Sequence, residues 1–427
     1  MKPKSVEIRS YQMGFGDCFL LSFVYSDNDK RHVLVDFGTT ALPGKAKRAV
    51  HMRGIADAIA AVVGNGNRLT AVIATHRHAD HISGFGVGSD TGESGKVIAA
   101  LRPRLVLQPW TEDPNARVNA SQATRHPGTN KSFVSSLATM NAIAGHVLAL
   151  ANEKPAWMSV AVRRELEFLG SDNIANRSAV QNLIAMGSQN GAKAHYLRHG
   201  DKTGLETLLP GVKVRVLGPP DLTQTQNIRR QRSVDRDQFW HFVSRVAAPM
   251  PSASRPTRAK KARAIPIPAN ARWFRDRLEH LGGQNLLEIV RQLDQQMNNT
   301  SLILLFEVKG KKLLFPGDAQ MENWNYALTE AKDSKGTRAL LASVDFYKVG
   351  HHGSLNATPR KLLWEAFEKR KDRKLLTMIS TMSGKHGKPA KKTEVPRTTL
   401  IKALKANSKL TDTRTLKRPN FVHVNVL

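Results

Sequence analysis

The sequence predicts a layered α/β protein, and three observations support this prediction. Apolar, strand-like segments alternate with helical ones in the first hundred residues and again in residues 299–354. Several predicted strands end at polar residues of the kinds that build active sites, as residues 69–74 do before His76. The chain has 427 residues, of which 41% are hydrophobic, so it can bury a large core. Strands and helices should therefore pack in layers around that core.

Two blocks of the chain show the same succession of elements. In the first, apolar patterns predict strands over residues 5–10, 19–25, 33–35 and 69–74, with a helix over residues 55–63. In the second, residues 301–308 and 312–315 predict a hairpin, residues 321–332 a helix and residues 344–349 a strand.

The stretch between the blocks and the tail after them differ in composition. Helices are predicted over residues 132–153, 178–186 and 273–296, and strands over residues 104–108 and 212–217. Residues 247–270 are rich in Pro, Ala, Ser, Arg and Lys, which predicts a mobile basic loop. The tail from Arg360 is strongly basic, with helices predicted over residues 362–369 and 398–406 and a strand over residues 421–426.

The net charge of the chain is its one extreme property. Sixty-five Lys and Arg against 35 Asp and Glu give a formal charge of +30, which suits a nucleic acid or another phosphate-rich partner. A solvated basic surface with no specific partner is the alternative, and no oligomeric state is favoured.

The sequence indicates a cytoplasmic protein without membrane insertion. No apolar run approaches the length of a membrane-spanning helix, and the N-terminus lacks the apolar core of a signal peptide. The single cysteine, Cys18, cannot form an internal disulfide, and we expect it to pack in the core rather than act as a nucleophile.

The densest chemical signal is the run His-Arg-His-Ala-Asp-His at residues 76–81. Imidazole nitrogens and carboxylate oxygens are the usual ligands of zinc and similar divalent ions, and here four such residues follow an apolar strand within six positions. Alternation along the turn lets His76 and His78 face one ion, while Asp80 and His81 face a second.

A two-metal site needs more ligands than this run supplies. Two ions about 3.5–4 Å apart can activate a bridging water for attack on a phosphoryl or carbonyl centre. Asp318 and the pair His351-His352, each at the end of a predicted strand, offer the further carboxylate and imidazoles.

Five segments together resemble a known family. Residues 76–81 look like the signature of the metallo-β-lactamase superfamily. Residues 14–21 (GFGDCFLL), 34–38 (LVDFG), 314–319 (LFPGDA) and 351–354 (HHGS) resemble, in the same order, the metallo-hydrolase domain of ComEC-type DNA-uptake proteins and their soluble bacterial relatives. The resemblance implies a four-layer αβ/βα sandwich with residues 1–100 and 298–427 as its halves. Residues 101–297 would form a long, mainly helical insertion or lid.

The same resemblance assigns roles to residues. It implies two divalent ions, zinc first and manganese as the alternative, bound by His76, His78, Asp80, His81, Asp318 and one of His351 and His352. Asp318 would lie between the ions, and Asp80 and Asp318 would carry the catalysis. Asp36 would support the site from beside it, and Asp17 would lie near its mouth.

Further residues are candidates for binding substrate. The run SGKHG at residues 383–387 falls where ComEC-like domains carry a Gly-His segment, so His386 would contact substrate phosphate or transfer a proton, unless it is an ordinary loop residue. Lys385 and Ser354 would bind substrate beside it. Residues 298–301 would orient ligands or simply form a turn.

The third ligand of the first ion has several candidates. The superfamily commonly has another histidine between the two halves of the site, and no clear motif for it stands in this sequence. The candidates are His126, His195, His199, Glu112 and Asp113.

Motif and charge together predict the function. The first hypothesis is a metal-dependent phosphodiesterase, most simply a nuclease, with basic residues near Lys260, in residues 369–371 and at Lys391-Lys392 holding flanking phosphates. The second is a hydrolase of a small ester, cyclic nucleotide or phospholipid-like substrate. The third is a nucleic-acid-binding module with a degenerate metal site.

Overall fold

The computed structural model describes residues 1–44, 46–113, 176–225, 227, 297–368, 375–387, 389, 393–416 and 421–425. All of them belong to one compact unit, made of Met1–Asn115, Asn176–His241 and Met297–Leu427. A second unit, Ala116–Ala175 and Phe242–Gln296, lies outside the described residues. So do the predicted helices 132–153 and 273–296, the basic loop 247–270, His126, and the basic runs at residues 369–371 and 391–392.

Two mixed β-sheets form the centre of the first unit. The seven-stranded sheet has the order β13-β1-β2-β3-β4-β5-β6, and its strands are β1 Ser5–Tyr11, β2 Cys18–Val24, β3 Lys30–Phe37, β4 Ala71–Ile73, β5 Leu105–Pro109, β6 Lys193–Leu197 and β13 Phe421–Asn425. The six-stranded sheet has the order β12-β11-β10-β9-β8-β7, and its strands are β7 Val212–Gly218, β8 Ile303–Val308, β9 Lys311–Phe315, β10 Phe346–Lys348, β11 Leu375–Ile379 and β12 Ser408–Asp412.

Each sheet is antiparallel in one part and parallel in the other. Strands β13, β1, β2 and β3 pair antiparallel, while β3 to β6 pair parallel. In the other sheet β7, β8 and β9 pair antiparallel, while β9 to β12 pair parallel. The carboxyl ends of β3, β4, β9 and β10 lie in the parallel parts, where strand ends commonly carry functional residues.

Helices cover the outer faces of the two sheets. They are α1 Arg48–Val63, α2 Ala79–Ile82, α3 Ser94–Ala100, α4 Arg177–Ser188, α5 Leu205–Leu208, α6 Met321–Asn325, α7 Ser334–Ala342, α8 Glu365–Glu368 and α9 Thr398–Asn407. None of the helices in the described ranges is long and apolar enough to cross a membrane.

Three apolar clusters hold these layers together. Phe19 of β2 and Phe315 of β9 belong to the cluster between the sheets. Leu20 of β2 points the other way and packs with Ile55 of α1 in the second cluster, because successive strand residues face opposite sides of a sheet. The third cluster lies under the helices of the six-stranded sheet and includes Trp324. The predicted αβ/βα sandwich is confirmed.

Most predicted elements are present, and the differences have physical reasons. Strands β6 (KAHYL) and β12 (SKLTD) were not predicted because both are edge strands with mixed, partly exposed side chains and no apolar alternation. Strand β11 is an apolar run of five residues, too short for its periodicity to separate strand from helix. The helix expected over residues 321–332 changes after Asn325 into a π-helical turn, Tyr326–Glu330.

The expected insertion does not span all of residues 101–297. Strands β5, β6 and β7 lie within that range and belong to the two sheets, because their apolar residues complete the core between them. The sandwich thus takes strands from the middle of the chain as well as from its two ends.

The aromatic contact between the sheets gives a stability prediction. Phe315 is buried, and its ring lies 5.9 Å from Phe19 of the opposite sheet and 5.4 Å from Phe346. We expect Phe315→Ala to lower the free energy of unfolding by about 3–5 kcal/mol, because it leaves a cavity in the core. Urea unfolding followed by circular dichroism measures this. Val50→Ala is the control, since Val50 is 70% exposed and should change stability by under about 0.5 kcal/mol; equal losses would contradict the assignment of the core.

A buried histidine away from the metal-ligand cluster gives a pH prediction. His32 on β3 makes a 2.9 Å hydrogen bond to Ser22, and burial, with the charges of Arg9 and Lys30, lowers the pKa of His32 to about 4. In the unfolded chain the pKa of His32 is near 6.5. As the pH falls, His32 is therefore protonated in the unfolded chain before it is protonated in the folded protein. Between pH 7.5 and 5 the wild type should lose about 2 kcal/mol more than His32→Asn in urea unfolding. A loss that is the same in both proteins would refute the assignment.

Candidate metal centre

Three strand ends bring the predicted ligands to one place. The turn after β4 leads through His76 into α2, which carries Asp80 and His81. Strand β9 leads into Asp318, and β10 into the 3₁₀ turn Gly350–Gly353. Since β4 lies in one sheet and β9 and β10 in the other, the centre forms where the two sheets meet.

The first group of converging ligands combines both sheets. Ligand atoms of Asp80, His81, Asp318 and His352 all lie within 4.8 Å of one another. His81 Nε2 lies 3.1 Å from Asp318 Oδ2, and His352 Nε2 lies 3.1 Å from Asp80 Oδ2 and 3.7 Å from Asp318 Oδ2. Two carboxylates and two imidazoles at these distances form a set that suits a divalent ion.

A second group lies beside the first. His76, His78 and Asp80 also place their ligand atoms within 4.8 Å of one another, and His76 Nε2 lies 3.0 Å from His78 Nδ1. Asp80 belongs to both groups, so its carboxylate would be shared if each group held an ion. The pairing of His76 with His78 expected from the motif is present in the geometry.

The surroundings of two atoms in the first group indicate whether a cation fits there. Asp318 Oδ2 and His81 Nε2 are both buried and only 3.1 Å apart, yet neither makes a hydrogen bond. Buried polar atoms are normally satisfied, because leaving one without a partner is costly. A carboxylate oxygen and an imidazole nitrogen that converge in a buried place are the kinds of atom that bind a divalent cation, so the residues fit a metal ion.

The hydrogen bonds behind the imidazoles orient them. His81 Nδ1 lies 2.8 Å from Asp36 Oδ2, and His352 Nδ1 lies 2.9 Å from the carbonyl of Ser380. Because a carbonyl or carboxylate only accepts, each Nδ1 carries a proton, and Nε2 is the nitrogen of each imidazole that faces the cluster. Asp36 is itself fixed, accepting bonds of 2.7 and 2.8 Å from the amide and hydroxyl of Thr75.

Electrostatics favour the metal-binding forms of Asp80, Asp318 and His76, but not those of His81 and His352, whose pKa values the neighbouring carboxylates raise against the effect of burial. Burial raises the pKa of Asp80 and of Asp318, but the nearby imidazoles, chiefly His81, outweigh burial and hold both below their ordinary value. Burial, reinforced by His81 and His78, lowers the pKa of His76 well below its usual range. The carboxylates are thus ionised and His76 is neutral near pH 7, as metal ligands must be.

The two adjacent histidines occupy different environments. His352 is buried and belongs to the first ligand group, whereas the side chain of His351 is 26% exposed and hydrogen bonds to Ser354 at 3.0 Å. His351 Nε2 lies 3.8 Å from Asp318 Oδ2, and both histidines have positive φ, 44° and 51°. This left-handed backbone is uncommon outside glycine and marks strain at a functional turn. The geometry favours His352 as the ligand and leaves His351 at the mouth.

One residue of the centre was not predicted from the sequence. Lys348, the last residue of β10, is buried and forms ion pairs with Asp17 and Asp318. A lysine in an apolar strand, two residues before Gly-His-His, is the only signal in the sequence. Asp17 was expected near the mouth, but it is fully buried, because Lys348 and the imidazole of His352 surround it.

The candidates for a further ligand of the ion at His76 and His78, as far as the structure describes them, make other contacts. His195 bonds the carbonyl of Thr203, and His199 bridges the carbonyl of Leu217 and Asp333. Glu112 pairs with Arg77 at 3.0 Å. Within the described ranges, the converging ligand groups include none of His195, His199, Glu112 and Asp113.

Of the predicted substrate-contacting residues, His386 and Ser354 lie near the candidate ligands, Ser354 through its contact with His351. The ring of Phe15 lies 4.3 Å from that of His352 and 4.4 Å from that of His386. Phe15 therefore contacts both His386 and the candidate ligand His352. Burial lowers the pKa of His386 to about 4. Lys385 donates to the carbonyl of Thr40 at 3.3 Å.

Residues 298–301 brace the metal-binding turn. Asn299 donates to Glu322 at 3.1 Å, and Asn323 donates to the carbonyls of Asn299 and Ser301. The next amide, that of Leu302, donates to the carbonyl of Thr75 at 2.9 Å. The segment therefore fixes Thr75, which in turn holds Asp36.

The bond from His81 to Asp36 gives a prediction about metal affinity. Asp36→Asn keeps the size of the side chain and tolerates the positive φ of 54°, but it removes the carboxylate that accepts from His81. Zinc affinity, measured by competition with a chromogenic chelator, should fall by about 10–100-fold. Asp57→Asn, which alters an exposed ion pair with Arg53 on α1, should leave it unchanged. A variant at Asp36 that binds zinc as tightly as the wild type would contradict this role.

Comparison with known proteins agrees with the centre. Residues 14–133 match the model of the metallo-beta-lactamase superfamily. No curated protein matches the chain. The matched range contains Asp17, Asp36 and the run at residues 76–81, while Asp318 and His352 lie beyond it. The match of residues 14–133 to this superfamily, together with the clustered histidines and aspartates, indicates a metal-dependent hydrolase.

Proposed function

We propose that this protein is a metal-dependent phosphodiesterase that cleaves nucleic acid. The observation that carries the proposal is the pairing of two adjacent ligand groups with a chain charge of +30. The ligand groups support hydrolysis, and the charge supports a polyanionic substrate.

The side chains of the centre suit phosphodiester hydrolysis. His76, His78, Asp80, His81, Asp318 and His352 would hold two divalent ions, zinc first and manganese as the alternative. Bound there, such ions would lower the pKa of a water and neutralise charge that develops on phosphorus-bound oxygens. The hydrogen bonds of His81 and His352 keep these imidazoles oriented without rearrangement during the reaction.

Two histidines, His351 and His386, would handle protons. The side chain of His351 is partly exposed, and its Nδ1 lies 3.0 Å from the hydroxyl of Ser354, so its ring would meet a substrate at the edge of the ligand groups. His386, with its pKa lowered to about 4, is neutral near pH 7 and would accept a proton or a hydrogen bond.

Charge supports nucleic acid over a neutral substrate. An excess of 30 positive charges attracts a phosphate chain and speeds its encounter with the protein. The resemblance of residues 14–21, 314–319 and 351–354 to ComEC-type DNA-uptake proteins supports the same class of substrate.

Nuclease assays with an inactive control test the proposal. The purified full chain is incubated with single- and double-stranded DNA and RNA in zinc or manganese, beside an Asp80→Ala, Asp318→Ala double variant and an Asp57→Ala control. We expect cleavage by the wild type and the control that is lost in the double variant and weakens as salt rises. No cleavage beyond that of the double variant would refute the proposal.

Two other outcomes would identify the alternative functions. Turnover of small chromogenic phosphodiesters or esters, without any dependence on polymer length, would indicate a hydrolase of small substrates. Well under one ion per chain, together with salt-sensitive DNA binding, would indicate a binding module with a degenerate metal site.

A further inference from the structure

A single buried lysine stands behind the metal-ligand groups. The side chain of Lys348 is 3% exposed, and its ammonium contacts Asp17, the carbonyl of Gly317 at 3.2 Å and Asp318 Oδ1 at 3.6 Å. Lysine is rarely buried to this degree unless it is paired. Burial lowers the pKa of Lys348, but the carboxylates of Asp17 and Asp318 outweigh burial and raise it above its ordinary value.

The two oxygens of Asp318 have different surroundings. Oδ1 accepts a bond of 3.2 Å from the amide of His351 and faces Lys348. Oδ2 makes no hydrogen bond and lies 3.1 Å from His81 Nε2 and 3.7 Å from His352 Nε2. The contacts of Oδ1 therefore fix the carboxylate, while Oδ2 faces the ligand cluster.

We propose that Lys348 is a positioning residue of the metal centre, which holds Asp318 Oδ1 so that Oδ2 alone faces the ligand cluster. Asp17 anchors the lysine from the opposite side, and Gly317 holds it beside the turn that carries Asp318. Lys348 contacts the carboxylates and not the substrate, so it acts on the reaction only through Asp318.

Whether removal of Lys348 raises or lowers the metal affinity distinguishes a positioning role of Lys348 from a purely electrostatic one. A fixed ammonium repels a divalent cation, so if Lys348 acted by charge alone, its removal would tighten metal binding. If Lys348 positions Asp318, its removal frees the carboxylate to rotate and weakens binding. Loss of an outer contact to a ligand typically lowers affinity by about 10–100-fold.

The test compares Lys348→Met with a double variant, Asp17→Asn with Lys348→Met, in the full chain. The double variant removes both members of the ion pair between Lys348 and Asp17, so the net charge behind Asp318 is unchanged and Asp17 does not remain as a buried carboxylate without its ammonium partner. Lys311→Met is the matched control, because Lys311 pairs with Asp345 at 3.3 Å at the other end of β9 and β10. Thermal unfolding of chelator-treated protein shows that each variant folds.

Zinc affinity and the spectrum of bound cobalt are the readouts. We expect zinc affinity to fall at least about 10-fold in both Lys348 variants and to stay at the wild-type level in Lys311→Met. With Co²⁺ as the only added metal, the visible absorption of the Lys348 variants should change in intensity, because a rotated carboxylate alters the coordination geometry. A purely structural ion pair would lower thermal stability in the single variant and leave the cobalt spectrum of the double variant unchanged.

Wild-type or tighter zinc binding by the double variant would overturn the proposal. The inference rests on metal binding, one part of the proposed function, and not on the substrate. A wild-type protein that binds no zinc would refute the proposed function itself, whereas normal zinc binding by the wild type and by the double variant would refute only the role of Lys348. Nuclease activity plays no part in this test.

Discussion

The mutual repulsion of four neighbouring carboxylates is the constraint on which the rest of this centre depends. Asp17, Asp36 and Asp318 are buried, and the side chain of Asp80 is only 13% exposed. Like charges at such proximity, with little water between them, repel strongly unless each has a compensating partner. The imidazoles of His81 and His352, the ammonium of Lys348 and the amide and hydroxyl of Thr75 supply that compensation. Among these residues, Asp318 Oδ2 and His81 Nε2 make no hydrogen bond and lie within the first ligand group.

The sandwich provides the rigidity that this arrangement needs. Asp36 and the turn after β4 belong to one sheet, while Asp318, Lys348 and His352 follow strands of the other. The aromatic contact between Phe19 and Phe315 helps to fix the spacing of the sheets. The hydrogen bonds that His81 and His352 donate to Asp36 and to the carbonyl of Ser380 then hold these imidazoles in a fixed orientation at that spacing.

The sequence predicts those parts of the molecule whose signals are local. The fold class follows from apolar periodicity, and residues 76–81 stand out because four ligand-type side chains fall within six positions. Lys348 escapes prediction because only the folded chain brings it to Asp17, which lies near the N-terminus. The choice between His351 and His352 depends on two residues with positive φ, which no periodicity reveals. The edge strands β6 and β12 carry mixed, partly exposed side chains that suit contact with solvent. For that reason they show no apolar pattern in the sequence.

The candidate metal ligands are spread along the chain, so the metal site depends on the complete fold. The range that matches the superfamily, residues 14–133, holds His76 to His81 but neither Asp318 nor His352. No single segment, and no single sheet, carries the whole first ligand group. Ions that bind the assembled cluster therefore favour the docked sheets over any state in which the sheets separate. A chain that is half synthesised, or damaged in either sheet, would hold no complete first ligand group, so the metal site requires the finished molecule.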